Sequence, residues 1–391
     1  MSDLFEEYSL FRPGAVSHLS LPLKTFLFGA LCLVGVLTLC TCKINDHEYE
    51  ETPNNKGFIE PLCHVKKEGE GKLGPYLAGL IEGDGSIIVP DSLRHPKTNQ
   101  NLYPVIKIVF HINELPLAKK LIEVLGGGTI EYPKGNYIVV KFDSIGVIRL
   151  IVSLINGHMR TPKIEALHRL MKWLNNRPDQ IENCPLLPLD NSPILANTWL
   201  SGFIEADGSF YVYFYPNRKG TFLRPQPHFR LEQRAQYHRD LEPDYDGSYK
   251  PIMEQIGSAL GVGVMTSVRY RAGGGHSDAR RARLSPGGCL QPPGGCLQPP
   301  DRLTRTSISY VVRSSSKAVN SRVVDYIHNF PLFSSKYLDF VAWEQIHPIV
   351  LEGTYRDKQG SELVNALTES MNTKRTEFSW GHLDNFYTID K

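Results

Sequence analysis

The stretch "YLAGLIEGDGSI", residues 76–87, reads as an apolar helix that stops with two acids, Glu82 and Asp84, crowded against its carboxyl end. The last carbonyls of a helix already carry partial negative charge, so acids there are mildly destabilising. Gly85 follows, the ordinary residue type for a helix stop. The chain repeats this costly arrangement at residues 199–210, "WLSGFIEADGSF". Seven of the twelve positions are identical: Leu77/Leu200, Gly79/Gly202, Ile81/Ile204, Glu82/Glu205, Asp84/Asp207, Gly85/Gly208 and Ser86/Ser209. One copy carries little information; two copies, each opening an equivalent repeat, carry much more.

Working outward from the first copy, the pattern predicts a helix from Gly74 to Asp84, a strand from Ser86 to Val89 and a second strand in "YPVIKIVFHI". A helix "LPLAKKLIEVLG" follows, with Pro116 near its start and Gly126 past its end. Strands "GTIEYP" and "NYIVVKF" meet at a Lys134-Gly135 turn, and helical material runs from "IGVIRLIVSLI" through "KIEALHRLMKWLN". From Trp199 the same order returns: strands "SFYVYFY" and "PHFRLEQR", helix "PIMEQIGSALG", strands "GVMTSVRYR" and "SISYVVR", then helices "VNSRVVDYIHNF" and "KYLDFVAWEQI". The order α-β-β-α-β-β-α thus appears twice, with a period of 123 residues from Asp84 to Asp207. That implies an α+β protein built from two units related by a pseudo-two-fold axis.

Gly79 and Gly83 are four apart, as are Gly202 and Ala206, so each motif helix carries a stripe of small residues that lets backbones approach closely. If the two helices pair, Asp84 and Asp207 converge with the last carbonyls of both, those of Gly83 and Ala206. Such a cluster of oxygens repels itself unless a hard divalent cation, Mg²⁺ or Mn²⁺, sits among them. Two carboxylates holding metal beside a basic surface suit hydrolysis of phosphodiesters.

"LAGLIEGDG" and "LSGFIEADG" resemble the LAGLIDADG motif, and the two-copy spacing is similar to that of the double-motif LAGLIDADG homing endonucleases, over roughly residues 72–350. The resemblance implies motif helices packed at the interface and a four-stranded antiparallel sheet in each unit lying in the DNA major groove. It implies that Asp84 and Asp207 bind the catalytic metals, leaving Glu82 and Glu205 to helix-end and core contacts. Family members place a polar residue four positions after a phenylalanine in the second strand, which gives Glu114 after Phe110 and Gln233 after Phe229. A lysine at the start of the last helix assists the chemistry, which gives Lys163 and Lys336. The plain alternative for either lysine is a solvated residue at a helix start.

Strand alternation bears on DNA binding independently. In the first unit Ile106, Ile108 and Phe110 alternate with Lys107 and His111. In the second, Phe229 and Leu231 point one way and His228, Arg230, Glu232 and Arg234 the other. Tyr211, Tyr213, Tyr215, Arg218 and Lys219 add to a polar, basic and aromatic face of the kind that reads base edges and meets phosphates. For any one of these residues a solvated sheet face is the simpler account; the set argues for DNA.

Composition frames this reading. The 391 residues are 41% apolar and 10% aromatic, enough for one large or two medium cores. Residues 1–70 hold 6 basic against 10 acidic side chains and the remainder 37 against 31, so the body is modestly basic and permits a polyanionic partner. Seven scattered cysteines without a CxxC pair imply neither a zinc site nor a disulfide framework. Residues 25–42 are uncharged and at the lower length limit for a membrane span, or form the apolar part of a targeting segment. The expected organisation is an extension over 1–71, units over 72–190 and 191–350, and a tail over 351–391. A Gly/Pro-rich insertion of about 272–302, with the repeat "PGGCLQP PGGCLQP", interrupts the second unit at a hairpin.

The expected function is site-specific, Mg²⁺-dependent cleavage of double-stranded DNA by a monomer that carries both half-sites of recognition. The resemblance implies a group I intron of a fungal mitochondrial gene, and hence a mitochondrial location. The alternative is an RNA maturase that helps its own intron splice, on the same scaffold. A third possibility is an inactive descendant, for which the insertion is the main argument.

Overall fold

The computed structural model describes residues 71–389 apart from 179–182, 217–219, 221–222, 240, 242–244 and 272–304. The apolar stretch 25–42, Arg218, Lys219 and the repetitive insertion lie outside the described residues. Among the described residues no helix is long and apolar enough to cross a membrane.

The first repeat runs α1 (Leu73–Asp84), β1 (Gly85–Ile88), β2 (Val105–His111), α2 (Leu115–Leu125), β3 (Thr129–Glu131), β4 (Tyr137–Phe142), α3 (Ile145–Ile155) and α4 (Ile164–Asn175). The second runs α5 (Trp199–Asp207), β5 (Gly208–Pro216), β6 (Leu223–Arg234), α6 (Lys250–Leu260), β7 (Val264–Arg271), β8 (Arg305–Ser314), α7 (Lys317–Asn329) and α8 (Ser335–Glu352). Each repeat forms a four-stranded antiparallel sheet, ordered β1-β2-β4-β3 and β5-β6-β8-β7. The expected α+β architecture is present, and the helical material that closes the first repeat forms two helices, as in the second.

Local chemistry explains the elements. In β2 the buried residues are Ile106, Ile108 and Phe110, with Lys107, Val109 and His111 on the open face, which is the period of two that the sequence shows. Pro116 and Pro251 sit in the first turns of α2 and α6, where their missing N–H groups are not needed. Both helices end on left-handed glycines, Gly126 (φ 71°) and Gly261 (φ 78°). Strand β6 begins at Leu223, four residues before the "PHFRLEQR" expected. Its prolines, Pro225 and Pro227, pair only with β5; β8 joins from Phe229 onward, so no second partner asks them for an N–H.

Residues Leu73 to Glu82 of α1 are all buried, as are Trp199 to Glu205 of α5. A helix enclosed on every side has no polar face to spare. The two pack at backbone distance. A Cβ added at Gly79 would lie 2.1 Å from the Trp199 carbonyl oxygen, and one at Gly202 would lie 1.9 Å from that of Tyr76. At Gly83 the added atom would meet the Ala206 methyl at 2.1 Å, so the carboxyl ends abut.

Gly85 and Gly208 end their helices without a left-handed turn. Their φ values are −88° and −80°, in extended backbone. The chain turns straight from helix into strand, and a Cβ at Gly85 would lie 2.7 Å from Ile81 Cα, one at Gly208 2.7 Å from the Ile204 carbonyl oxygen. Glycine is required there by contact with its own last helical turn.

Residues beyond 350 are folded and pack onto the repeats. Helix α8 extends to Glu352, and α9 (Lys358–Glu369) leads into a segment that returns to the motif helices. Phe386 and Tyr387 place their rings 5.8 and 5.6 Å from Tyr76 and 4.8 and 4.9 Å from Phe333. Asn372 donates to the Phe210 carbonyl at 2.9 Å.

The stretch joining the repeats is pinned as well. The buried Arg160 guanidinium donates to the Ser192 carbonyl (2.6 Å), Ser192 Oγ (2.6 Å) and Asp190 Oδ2 (3.1 Å), and lies over the Trp199 ring.

Candidate active site

The acids of the two motifs separate by their hydrogen bonds. Glu82 is buried and accepts from the Arg160 N–H (2.9 Å), the Thr161 N–H and Oγ1 (both 2.6 Å) and Trp199 Nε1 (2.6 Å). Glu205 accepts from the N–H groups of Phe333 and Ser334, from the Ser334 hydroxyl and from the Tyr76 hydroxyl (3.4 Å). The pattern is reciprocal: each glutamate ties the end of its own motif helix to the turn before the last helix of its own repeat, and takes a donor from the other repeat's motif helix. Tyr76 and Trp199 occupy the same position of the motif. Neither was singled out by sequence, although an aromatic with a polar donor at the same place in both copies was a visible signal.

Asp84 and Asp207, two residues further on, are turned the other way, into a cavity of about 680 Å³. Lys163, Gln233, Arg234, Tyr237 and His238 share its lining. Asp84 is exposed and Asp207 half-buried. Burial, with the charge of Asp84 adding to it, pushes Asp207 up to about 6 against the pull of Lys336 and Lys163. Burial also raises Asp84, again opposed by Lys336 and Lys163. Gln233 Nε2 donates to Asp207 Oδ2 at 2.9 Å.

The two lysines reach the helix ends. Lys163, buried beneath the end of α1, donates to the carbonyls of Gly85 (2.7 Å), Ile81 (2.9 Å) and Gly83 (3.4 Å). Lys336 donates to those of Glu205 (2.5 Å), Ala206 (2.7 Å) and Ile204 (3.2 Å). Neither is a solvated helix-start residue. Burial lowers both, Lys163 to about 8, with Glu82, Asp207 and Asp84 limiting the fall. The unfavourable charge at each helix end is therefore met by an ammonium carried on the last helix of the same repeat.

Glu114 is not the counterpart of Gln233. Gly85 pairs with Ile108 and Gly208 with Leu231, which aligns Gln233 with Phe110 and leaves Glu114 beyond the end of the strand. Its carboxylate accepts instead from the Ser335 N–H (2.9 Å) and hydroxyl, at the first turn of α8 in the other repeat. Counting four residues from a phenylalanine failed because Phe110 and Phe229 stand at different rungs of the two sheets.

The open sheet faces hold most of the remaining candidates. Lys107 lies 3.6 Å from Glu131, and His111 accepts from the Asn113 N–H (3.3 Å) while staying exposed. Tyr213 and Tyr215 are exposed with ring centroids 4.4 Å apart. Tyr211 stacks on His228, which is buried against the Ser314 carbonyl and so does not present a free edge. Arg230 is paired with Glu232 (2.5 Å), which also takes Arg269 (2.7 Å). Arg234 is exposed and lines the cavity beside the two aspartates, closer to the chemistry than a groove-reading role implies. Sequence reasoning passed over His238 and Arg239, which also line that cavity from an insertion after β6 with no counterpart in the first repeat.

Among the described residues no three His, Cys, Asp or Glu side chains converge on one point. The donor set at the helix ends is two carboxylates, both raised by burial and Asp207 also by the charge of Asp84, with backbone carbonyls beside them. That set fits a hard divalent cation, which takes oxygen ligands and keeps several waters, and does not fit a softer metal.

Comparison with known proteins agrees with this geometry. A family model described as LAGLIDADG endonuclease matches residues 77–174 and 301–347. The chain is 32% identical over 362 residues to the intron-encoded DNA endonuclease aI3 of Saccharomyces cerevisiae, covering 89% of this chain and 81% of that one. It is 24% identical over 317 residues to an uncharacterised cox1 intron-2 protein of Schizosaccharomyces pombe, covering 79% and 76%. Its fold is similar to that of the meganuclease I-SmaMI bound to uncleavable DNA, with a TM-score of 0.52 and 16% identity over 79% of this chain and 100% of that one. The same fold is seen for I-SmaMI bound to uncleaved DNA in the presence of calcium ions, at a TM-score of 0.51 and 16% identity over 76% and 98% of the two chains. The chain belongs to the LAGLIDADG endonuclease family.

Proposed function

We propose that this protein is a site-specific, divalent-metal-dependent endonuclease that hydrolyses one phosphodiester in each strand of a double-stranded DNA target, and so promotes homing of the intron that encodes it. The observation that carries the reading is the abutment of the two motif-helix ends, which brings Asp84 and Asp207 into one cavity flanked by cationic side chains. A structural helix pair would have no use for two carboxylates held at such cost.

Asp84 and Asp207, with the carbonyls of Gly83 and Ala206 in reach, would hold the cation, for which Mg²⁺ is the expected ion. When bound, it supplies charge neutralisation at the scissile phosphate and an activated water. Gln233 fixes the orientation of the Asp207 carboxylate. Arg234, at the mouth of the cavity, meets the phosphate backbone. Lys107, His111, Tyr211 and Tyr213 supply the reading surface. Two repeats in one chain carry both half-sites, so the working form is a monomer, and an origin in a mitochondrial intron places it in that organelle.

The direct test is incubation of the purified protein with the intronless allele of its host gene. Linear product is expected with Mg²⁺ and none with a chelator. Equal cutting under both conditions overturns the metal-dependent reading, and no cutting with Mg²⁺ overturns the endonuclease reading.

A further inference from the structure

Both helix ends already hold a cation, and in each it is the ammonium of a lysine. Lys336 and Lys163 each grip three carbonyls at the end of their motif helix, in both repeats and from equivalent helices. Those oxygens include Ala206 and Gly83, the same carbonyls that stand beside the aspartates as donors for a divalent ion. We propose that Lys336 and Lys163 are tethered counter-cations, which keep the helix ends assembled in the metal-free protein and compete with the divalent cation for the same oxygens. The inference rests on the reading that Asp84 and Asp207 hold a metal, and it assigns the lysines a positioning role that is separate from any part they take in the chemistry.

The physical argument is one of charge. Two abutting helix ends bring carbonyl oxygens and two carboxylates together, and the repulsion among them is offset by nearby positive charge. With no divalent ion bound, the ammoniums supply it. Once one binds, a like charge stands beside it and some carbonyl lone pairs are already engaged, which lowers affinity. The two repeats are unequal in this respect. Lys336 holds the Ala206 carbonyl at 2.7 Å, whereas Lys163 reaches that of Gly83 only at 3.4 Å. Competition is therefore stronger at the second repeat.

The test needs neither DNA nor cleavage. Ca²⁺ binding is measured by calorimetry, and Tm is followed with and without Ca²⁺, for the wild type, Lys336→Met and Lys163→Met. Lys336→Met is expected to bind Ca²⁺ about tenfold more tightly, the effect of roughly 1.4 kcal/mol of relieved repulsion. Its metal-free Tm falls, and Ca²⁺ raises its Tm by more than it raises that of the wild type. Lys163→Met shows a smaller gain in affinity, about threefold or less. A lysine with a merely structural role would lower Tm without tightening Ca²⁺ binding, and that result overturns the proposal. If Lys336→Met is unfolded without metal, recovery of the fold on adding Ca²⁺ supports the proposal and failure to recover overturns it. A wild type that binds no Ca²⁺ overturns both this inference and the metal site; wild-type binding with no gain in Lys336→Met overturns this inference alone.

Discussion

Glu205 and Asp207 are two residues apart on one helix, yet their surroundings assign them opposite roles. Glu205 is closed in by four donors, and Glu82 by its own four, so removing either carboxylate strands buried N–H and O–H groups. Glu82→Ala is expected to lower unfolding free energy by about 3 kcal/mol, read from urea melts. Asp207 behaves in the reverse sense. Its pKa of about 6 in the folded protein lies above its ordinary value of 3.8, so the folded state takes up the proton more readily than the unfolded chain. Its stabilising share is thus complete below about pH 4 and is lost as the pH rises through 6. Asp207→Asn should therefore make the metal-free protein more stable at pH 7, by about 1–2 kcal/mol once solvent screening is allowed for, and no more stable at pH 3.5. Melting curves at the two pH values check this, and a gain that persists at pH 3.5 would mean that charge is not its cause.

At the scale of elements, the helix pair is the feature that least tolerates change. Gly202→Ala drives a methyl into the Tyr76 carbonyl, where backbone rather than a flexible side chain must yield, and is expected to cost about 3 kcal/mol. Gly263→Ala has open space around the added atom and an ordinary φ, and serves as the control with no loss. Comparative thermal melts of the two variants decide whether close approach or glycine content matters. Much of this level was legible beforehand. The duplicated motif, the small-residue stripes and the alternation in β2 are local patterns, and each maps onto the structure residue by residue. What escaped depended on strand register and on contacts between distant residues. Glu114 was misplaced because register follows from the pairing of Gly85 with Ile108, which no spacing in the sequence reveals. The lysines were found by position, but the carbonyls they grip lie about 80 and 130 residues away in the chain.

At the scale of the whole molecule, the segment beyond α8 behaves as part of the motif-helix core. Phe386 and Tyr387 are buried against Tyr76 and Phe333, next to the turn that receives Glu205. Truncation after Gly353 removes both rings and is expected to cost at least about 4 kcal/mol, seen as a lower urea midpoint. Nothing in its composition marked this segment as more than a tail, because its apolar residues are spaced by packing onto a distant surface. The proposed function makes Asp84 and Asp207 one paired centre for cutting two strands. Its most direct test uses a target duplex labelled on both strands, cut with Mg²⁺ by the wild type, Asp84→Asn, Asp207→Asn and the double variant, with folding verified for each. The expected result is scission of both strands by the wild type, a fall in double-strand scission of about a thousandfold or more for the double variant, and a marked fall for each single one. A double variant that cuts both strands at the wild-type rate would contradict the claim.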